Sequence, residues 1–414
     1  MNQILKNSIA LAIAMPLASS VAMAIDLDES ISGTCTFDGK GATYNVTDEK
    51  MTALEIVDCE VVSVKNATFI GPAYINREQG TFAEPVMIGG HAISIKKPLD
   101  STYDMKVAIE NVVINGFGNH GIYIFDTEDP RCGAGSGGSC EGADGSIDVT
   151  IENVHIVNSG FGGQDADGLR VDERGEGDIS FRANNISMED IGADGIELDE
   201  GDAGNVIVKM NNAFFNNNGR YCLLDGIDGS EDFPAEYDFE EDQSDEYYAN
   251  LPICNDEGDA DVDDAFDIDE AGEGNLQLQM FNVTLNNNWD EGLDFDEEGP
   301  GDVNLKFVNI YGNNNSGESI KADEEDDGNI FVDMTNIRIK DGQDDGMQLE
   351  SVDGVIMATM KNVTSNGNKK YGIKMVSDGL EDGLIKGTNI TATENGKGGF
   401  ELENMADKLK KVTE

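Results

Sequence analysis

The chain has 414 residues, with 82 Asp and Glu against 27 Lys and Arg and a formal net charge of −55. So one-sided a field repels nucleic acid and anionic membrane surfaces, and it favours bound cations or a salty medium. Mean composition marks no compositional class on its own, so the pattern along the chain has to decide the fold.

Residues 1–24 read as a signal peptide. Lys6 supplies a positive start, Ile9 to Leu17 a short apolar core broken by Pro16, and Ala22-Met23-Ala24 a small-x-small cleavage site. That core is too short to span a bilayer, and no later segment is apolar enough. The expectation is an exported protein, extracellular or periplasmic, without a membrane span. Six cysteines in an exported chain point to disulfides. Their pairing stays open; the local candidates are Cys35 with Cys59, Cys132 with Cys140, and Cys222 with Cys254.

From about Asn66 the sequence repeats. Units of the form Gly, apolar, x, apolar, Asp, Glu recur, as in Gly168-Leu169-Arg170-Val171-Asp172-Glu173 and Gly292-Leu293-Asp294-Phe295-Asp296-Glu297. With the first apolar residue as anchor, the series is Ile93, Ile122, Leu169, Ile196, Leu223, Phe266, Leu293, Ile320, Met347, Ile373 and Phe400. From Phe266 the steps are 27, 27, 27, 26 and 27. An asparagine precedes most anchors by 11 residues, as at Asn111, Asn185, Asn212, Asn255, Asn282 and Asn309. Stacked asparagines at a tight turn bond amide to amide between coils. Two independent markers sharing one period identify a solenoid.

Three short alternating runs per coil, without helical periodicity, predict an all-β fold: a right-handed, three-sheet parallel β-helix with an asparagine ladder. The Leu-x-x-Leu-x-Leu pattern of leucine-rich repeats is absent, and an antiparallel sandwich would not hold so constant a period. At one inter-strand spacing per coil, a dozen coils make a rod roughly 60 Å long. The expected division is an N-terminal cap over residues 25–60, the helix over 61–403, and a cap or tail over 404–414, with Ala406 to Glu414 as a short closing helix.

The period, the asparagine ladder and the anchor strands resemble the pectin-lyase-like superfamily of right-handed β-helices. The resemblance covers most of the chain beyond residue 24 and is architectural. It implies carbohydrate or surface work, since that superfamily holds polysaccharide lyases, glycoside hydrolases, epimerases and non-catalytic surface proteins.

Departures from the period mark insertions near 71–87, 127–146, 159–164 and 226–253, all in the first half. Loops on a rigid scaffold are where function concentrates. Aligning the coils gives columns of stacked residues. Two positions before the anchor stand His91, His120, Asp167 and Asp194; one after it, Ser94, Tyr123, Arg170 and Glu197; three after it, Lys96, Phe125, Asp172 and Asp199. The last two columns are expected on the outward face.

A loop-walled patch of imidazole, phenol and guanidinium groups predicts a polymer-binding cleft. β-Elimination at a uronic acid needs a base at C5, a proton donor for the leaving oxygen, and neutralisation of the substrate carboxylate. The catalytic candidates are His120, Tyr123 and Arg170. The substrate-binding candidates are His91, Lys96, Tyr247 and Tyr248. Asp167, Asp172, Asp194, Glu197 and Asp199 are the metal candidates, with Ca²⁺ as the ion because it accepts six to eight oxygens in flexible geometry. In the later coils, stacked Asp269, Asp296 and Asp323 repel one another and call for cations or full hydration. The expected partners are therefore a polysaccharide and divalent cations. The alternatives are a glycoside hydrolase on the same fold, with Asp167–Asp194 or Asp172–Glu197 as its carboxylate pair, and a non-catalytic surface, matrix or adhesion rod stiffened by calcium.

Overall fold

A computed structural model describes residues 25–28, 33–73, 90–127, 141–162, 165–219, 263–379 and 383–413. Among these, every regular element is a strand. Short strands make the first sheet. They begin with β1 (Ile25–Asp28), β3 (Leu54–Val57), β5 (Ile93–Lys96), β7 (Ile122–Phe125), β9 (Leu169–Glu173) and β11 (Ile196–Glu200). The series continues with β13 (Phe266–Glu270), β15 (Asp294–Glu297), β17 (Lys321–Glu324), β19 (Gln348–Ser351), β21 (Tyr371–Ser377) and β23 (Gly398–Glu403). Longer strands make the second sheet. Its first half is β2 (Thr34–Asn45), β4 (Val61–Ile70), β6 (Met105–Asn115), β8 (Ile147–Val157), β10 (Ile179–Glu189) and β12 (Val206–Asn216). Its second half is β14 (Leu276–Asn286), β16 (Val303–Asn313), β18 (Ile330–Lys340), β20 (Ile356–Asn366), β22 (Gly383–Thr391) and β24 (Met405–Thr413). Each sheet has 12 strands, stacked in chain order and parallel throughout. The fold is a right-handed parallel β-helix of twelve coils.

The expected third sheet is present as a bend. In β10, Ile179, Phe181 and Ala183 point inward, and so do Ile186 and Met188; the alternation slips by one at Asn185, whose φ is 55°. Each long strand is thus two arms meeting at an asparagine, and with the short strand the coil has three faces. Asparagine tolerates the left-handed conformation better than other residues with a side chain. Its amide then ties coil to coil: Asn111 donates to Asn66 at 3.1 Å, Asn309 to Asn282 at 2.8 Å and Asn336 to Asn309 at 3.0 Å. Inside, apolar residues stack in files, including Phe266 on Phe295 with centroids 5.9 Å apart. Cys35 and Cys59 form a disulfide at the N-terminal end; the other four cysteines lie outside the described residues.

Three expectations change. Residues 406–413 are strand, paired with β22, and not helix. The apolar spacing Met405, Leu409, Val412 looks helical only because the bend at Lys411 (φ 55°) shifts the strand's parity. Second, Ile196 pairs directly with Phe266, so a coil anchored at Leu223 with Asn255 has no place between them. Asn282 accordingly bonds to Asn212 at 3.2 Å. Third, the two sheets already run through residues 25–60, where Ile25-Asp26-Leu27-Asp28-Glu29 carries the unit without its glycine and Leu54 carries neither the glycine nor the Asp-Glu. The expected signal peptide, and most of the four insertions, lie outside the described residues.

Candidate active site

Strands β5, β7, β9 and β11 lie side by side, so Tyr123, Arg170 and Glu197 stack in one column and Phe125, Asp172 and Asp199 in the next. The outward columns were expected to meet solvent. Instead Tyr123 and Arg170 are 2% exposed and Asp172 and Asp199 are fully buried. The histidine pair forms as expected. The rings of His91 and His120 are nearly parallel with centroids 5.3 Å apart, and Tyr123 lies 4.7 Å from His120 and 4.2 Å from Phe125. Lys96 sits over the Phe125 ring at 5.7 Å. Tyr247 and Tyr248 lie outside the described residues.

Arg170 is the hub. Its Nε donates to Asp172 at 2.7 Å, and its terminal nitrogens reach Asp165 at 2.8 Å, Glu197 at 2.6 Å and Asp199 at 3.0 Å. The Tyr123 hydroxyl donates to the other Asp172 oxygen at 2.6 Å. Arg174 adds a second cation on Asp199. Nδ1 of His120 lies 2.8 Å from the amide nitrogen and 3.2 Å from Oδ2 of Asp167, while its Nε2 is buried without a hydrogen-bond partner. Asp165 and Arg174 escaped the sequence reading because neither falls in an aligned outward column.

The carboxyls divide into two kinds. Burial alone would raise Asp167, but its contact with His120 and the charge of Arg170 hold it below the usual value. Burial pushes Asp194 and Glu197 well above theirs; Asp167 adds to the rise at Asp194, and Arg170 opposes that at Glu197. Asp199 is pushed up to about 7 by burial, against the pull of Arg174 and Arg170. Burial and Asp172 raise Tyr123 well above the usual phenol value, so it is a neutral donor at any physiological pH. An ionised carboxylate beside protonated ones is the arrangement from which acid and base roles are drawn. His91 is depressed to about 3 by burial and by His120, and is neutral.

Of the five metal candidates, Asp167 and Glu197 come together with Asp165, their oxygens within 4.8 Å of one another. Asp194 instead serves the ladder: Asp167 Oδ1 accepts from its backbone nitrogen at 3.0 Å, and Asp194 Oδ1 accepts from that of Asp264 at 2.6 Å. Asp172 and Asp199 are committed to the arginines. Further acidic groups of this kind occur along the later coils, among them Asp264 with Asp267 and Asp294, and Glu318 with Asp344 and Asp345. The stack of Asp269, Asp296 and Asp323 forms in register and is relieved in part by Lys321, 3.8 Å from Asp296 and 3.6 Å from Asp323, which also reaches Asp294 of the neighbouring column at 2.8 Å.

The sequence matches no known family profile and no curated protein. The structure is similar to that of a point mutant of the periplasmic alginate epimerase AlgG, with a TM-score of 0.52 at 10% identity, over 91% of this chain and 74% of that one. A looser overlay, with a TM-score of 0.42 at 12% identity, joins 97% of this chain to 70% of the catalytic domain of a GH87 α-1,3-glucanase in complex with tetrasaccharides. At such identity the likeness is one of fold, and it is the parallel β-helix that is shared.

Proposed function

We propose that this chain is an exported enzyme acting on an acidic polysaccharide, cleaving a uronic-acid-containing polymer by β-elimination with help from a bound divalent cation. The observation that carries the reading is the Tyr123–Asp172 hydrogen bond of 2.6 Å beside a His120 whose Nε2 has no partner. In this scheme Nδ1 of His120 accepts the Asp167 backbone N–H, so Nε2 carries the proton and donates to the substrate carboxylate. The Tyr123 oxygen takes the C5 proton as its own passes to Asp172, the C5–H electrons form the C4–C5 double bond, the C4–O bond breaks, and the leaving oxygen collects the proton from Tyr123 as Asp172 returns its own. Arg170 already spends its charge on carboxylates. Asp165, Asp167 and Glu197 would hold a divalent cation such as Ca²⁺, which would supply the charge that neutralises the substrate carboxylate, with Lys96 nearby. His91 lines the same wall. The similar fold is found in a periplasmic alginate epimerase, which puts alginate among the polymers to test.

The test is incubation of the purified protein with uronate polymers and calcium. Elimination gives absorbance at about 235 nm from unsaturated ends. Tyr123→Phe and His120→Gln should abolish it while the protein stays folded. New reducing ends without that absorbance would move the assignment to a hydrolase using Asp167 and Glu197. No chemistry on any uronate, with a melting temperature that falls in chelator, would favour the calcium-stiffened rod, which the acidic groups of the later coils also support.

A further inference from the structure

We infer that the outward face of the first arm of the second sheet, from β10 to β24, is a separate binding groove for an acidic polysaccharide chain lying along the rod axis. The inference rests on the polysaccharide reading above but not on any catalytic role. Parallel register stacks the outward residues of these arms into columns. One column carries Arg182, Lys209, Lys306, Lys386 and Lys408, all exposed; its neighbour carries Lys361 and Lys410. Among the outward positions of these arms, Asp333 is the one carboxylate. Asp407 stands in the inward column of the last coil, and Arg182 is partly spent on Asp148 at 3.6 Å. In a chain with three acids for every base, this strip has the opposite balance.

The strip is also shaped. A trough of about 320 Å³ runs over β14 to β20, lined among others by Gln279, Asn304, Lys306, Phe331 and Met357, with Asp333 as its one carboxylate. A second, of about 780 Å³, runs over β20 to β24 between Lys361, Lys386, Lys408 and Lys410. Both touch β20, so they adjoin. Phe331 and Met357 are 38% and 42% exposed and in register, an apolar platform of the kind that accepts the carbon face of a pyranose ring. Amides and lysines on either side supply donors for hydroxyls and carboxylates. The coils repeat about every 4.8 Å, close to the advance of one sugar in an extended chain, so a periodic anion keeps step with a column whose cations are interrupted at Gln279, Asp333 and Thr359. The arrangement answers a difficulty in the catalytic reading, since a polyanion cannot readily approach the acidic first face without a cation between them. A strip of opposite sign on the same rod captures the polymer first.

The test is affinity electrophoresis of the full chain in gels containing polygalacturonate, with EDTA present so that the acidic face cannot bind through calcium. Retardation should be strong on the acid polymer and slight on the same polymer fully methyl-esterified. The exposed changes K361Q/K386Q/K408Q/K410Q should weaken binding about tenfold at an unchanged melting temperature, and Phe331→Ala should weaken it on both polymers. Unaltered retardation of the quadruple variant overturns the inference, as does equal binding of single-stranded DNA, which would show an unselective polyanion surface. Loss of binding in the variant, in a protein with no activity on any uronate, would sustain the groove and reject the catalytic reading. A variant active on short oligouronates but with a raised KM on polymer would sustain both.

Discussion

At the scale of single residues, the bend and the buried arginine carry different kinds of stability. Asn309 sits at φ 60°, donates to Asn282 and accepts from Asn336. Replacing it with Ala loses both amide bonds and leaves at φ 60° a residue that tolerates the left-handed region less well than asparagine, and should cost about 2–3 kcal/mol. Asn309→Gly should cost less, because only the bonds are lost. Equal melting of the two variants would show that the conformational share is absent. Arg170→Leu leaves Asp172, Glu197 and Asp199 buried against one another, and a loss of about 3–5 kcal/mol is expected in urea unfolding. A change below 1 kcal/mol would mean that protons or a cation already neutralise the cluster. Column alignment revealed the residues of this cluster, because register is a property of the repeat. Their burial was not legible, since cover over an outward face comes from outside the repeating unit.

At the scale of elements, the strand at each anchor is followed by a column of buried polar residues. Lys97, Asp126, Glu173, Glu200, Glu270, Glu297, Glu324, Ser351 and Ser377 follow one another along the first sheet, all buried. Neighbouring glutamates are in direct register. The end of the file is capped: Ser351 donates to Glu324 Oε2 at 3.0 Å and Gly328 N–H to Oε1 at 2.7 Å. In the middle, Glu200 and Glu270 have only the backbone N–H groups of Asp202 and Gly272 beside them, and otherwise the carboxyls face each other. Burial pushes Glu200 and Glu270 up to about 8 and Glu297 to about 9. Neutral carboxyls can share protons along the file; ionised ones cannot stay there unpaired. These groups release their protons earlier when unfolded than when folded. The stability they contribute is therefore full below their ordinary value of 4.5 and is lost as pH rises through 8 to 9. In EDTA the melting temperature should fall between pH 5 and pH 9, and E270Q/E297Q should flatten that fall. A melting temperature that rises over this range would refute the account. The Asp-Glu signature drew the eye to this column as an acidic edge because sequence alone cannot separate a solvated glutamate from a buried one.

At the scale of the whole molecule, net charge conceals a division of labour between faces. The first sheet turns acidic columns outward while the first arm of the second turns lysines, amides and an exposed phenylalanine. Summed composition, which argued against polyanionic partners, averages over that division. The overall plan was readable because a period of 27 survives across most of the rod, and the β-helix follows from it. The number of coils was harder: β1 lacks the glycine, β3 lacks both the glycine and the Asp-Glu pair, and a false anchor at Leu223 stood in for a coil that the register between β11 and β13 excludes. Calcium titration followed by melting measures the other consequence of charge. An ion held only by the folded acidic columns should raise the midpoint with its concentration, and an unmoved midpoint would leave solvation alone to relieve them.

The direct pairing of β11 with β13 has one more consequence. The backbone nitrogen of Asp263 bonds to the carbonyl of Gly219 at 3.4 Å, so the chain departs from the rod and rejoins it at nearly the same point. Gly219 and Asp263 thus stand side by side on the rod, as the two ends of a surface hairpin do. Excision of residues 220–262, bridged by two or three glycines, should leave a protein that folds with a melting temperature within a few degrees of the parent, since shortening a closed loop costs little and saves entropy. The junction is then a port at which foreign segments can be exchanged, and the rod a chassis indifferent to what it carries.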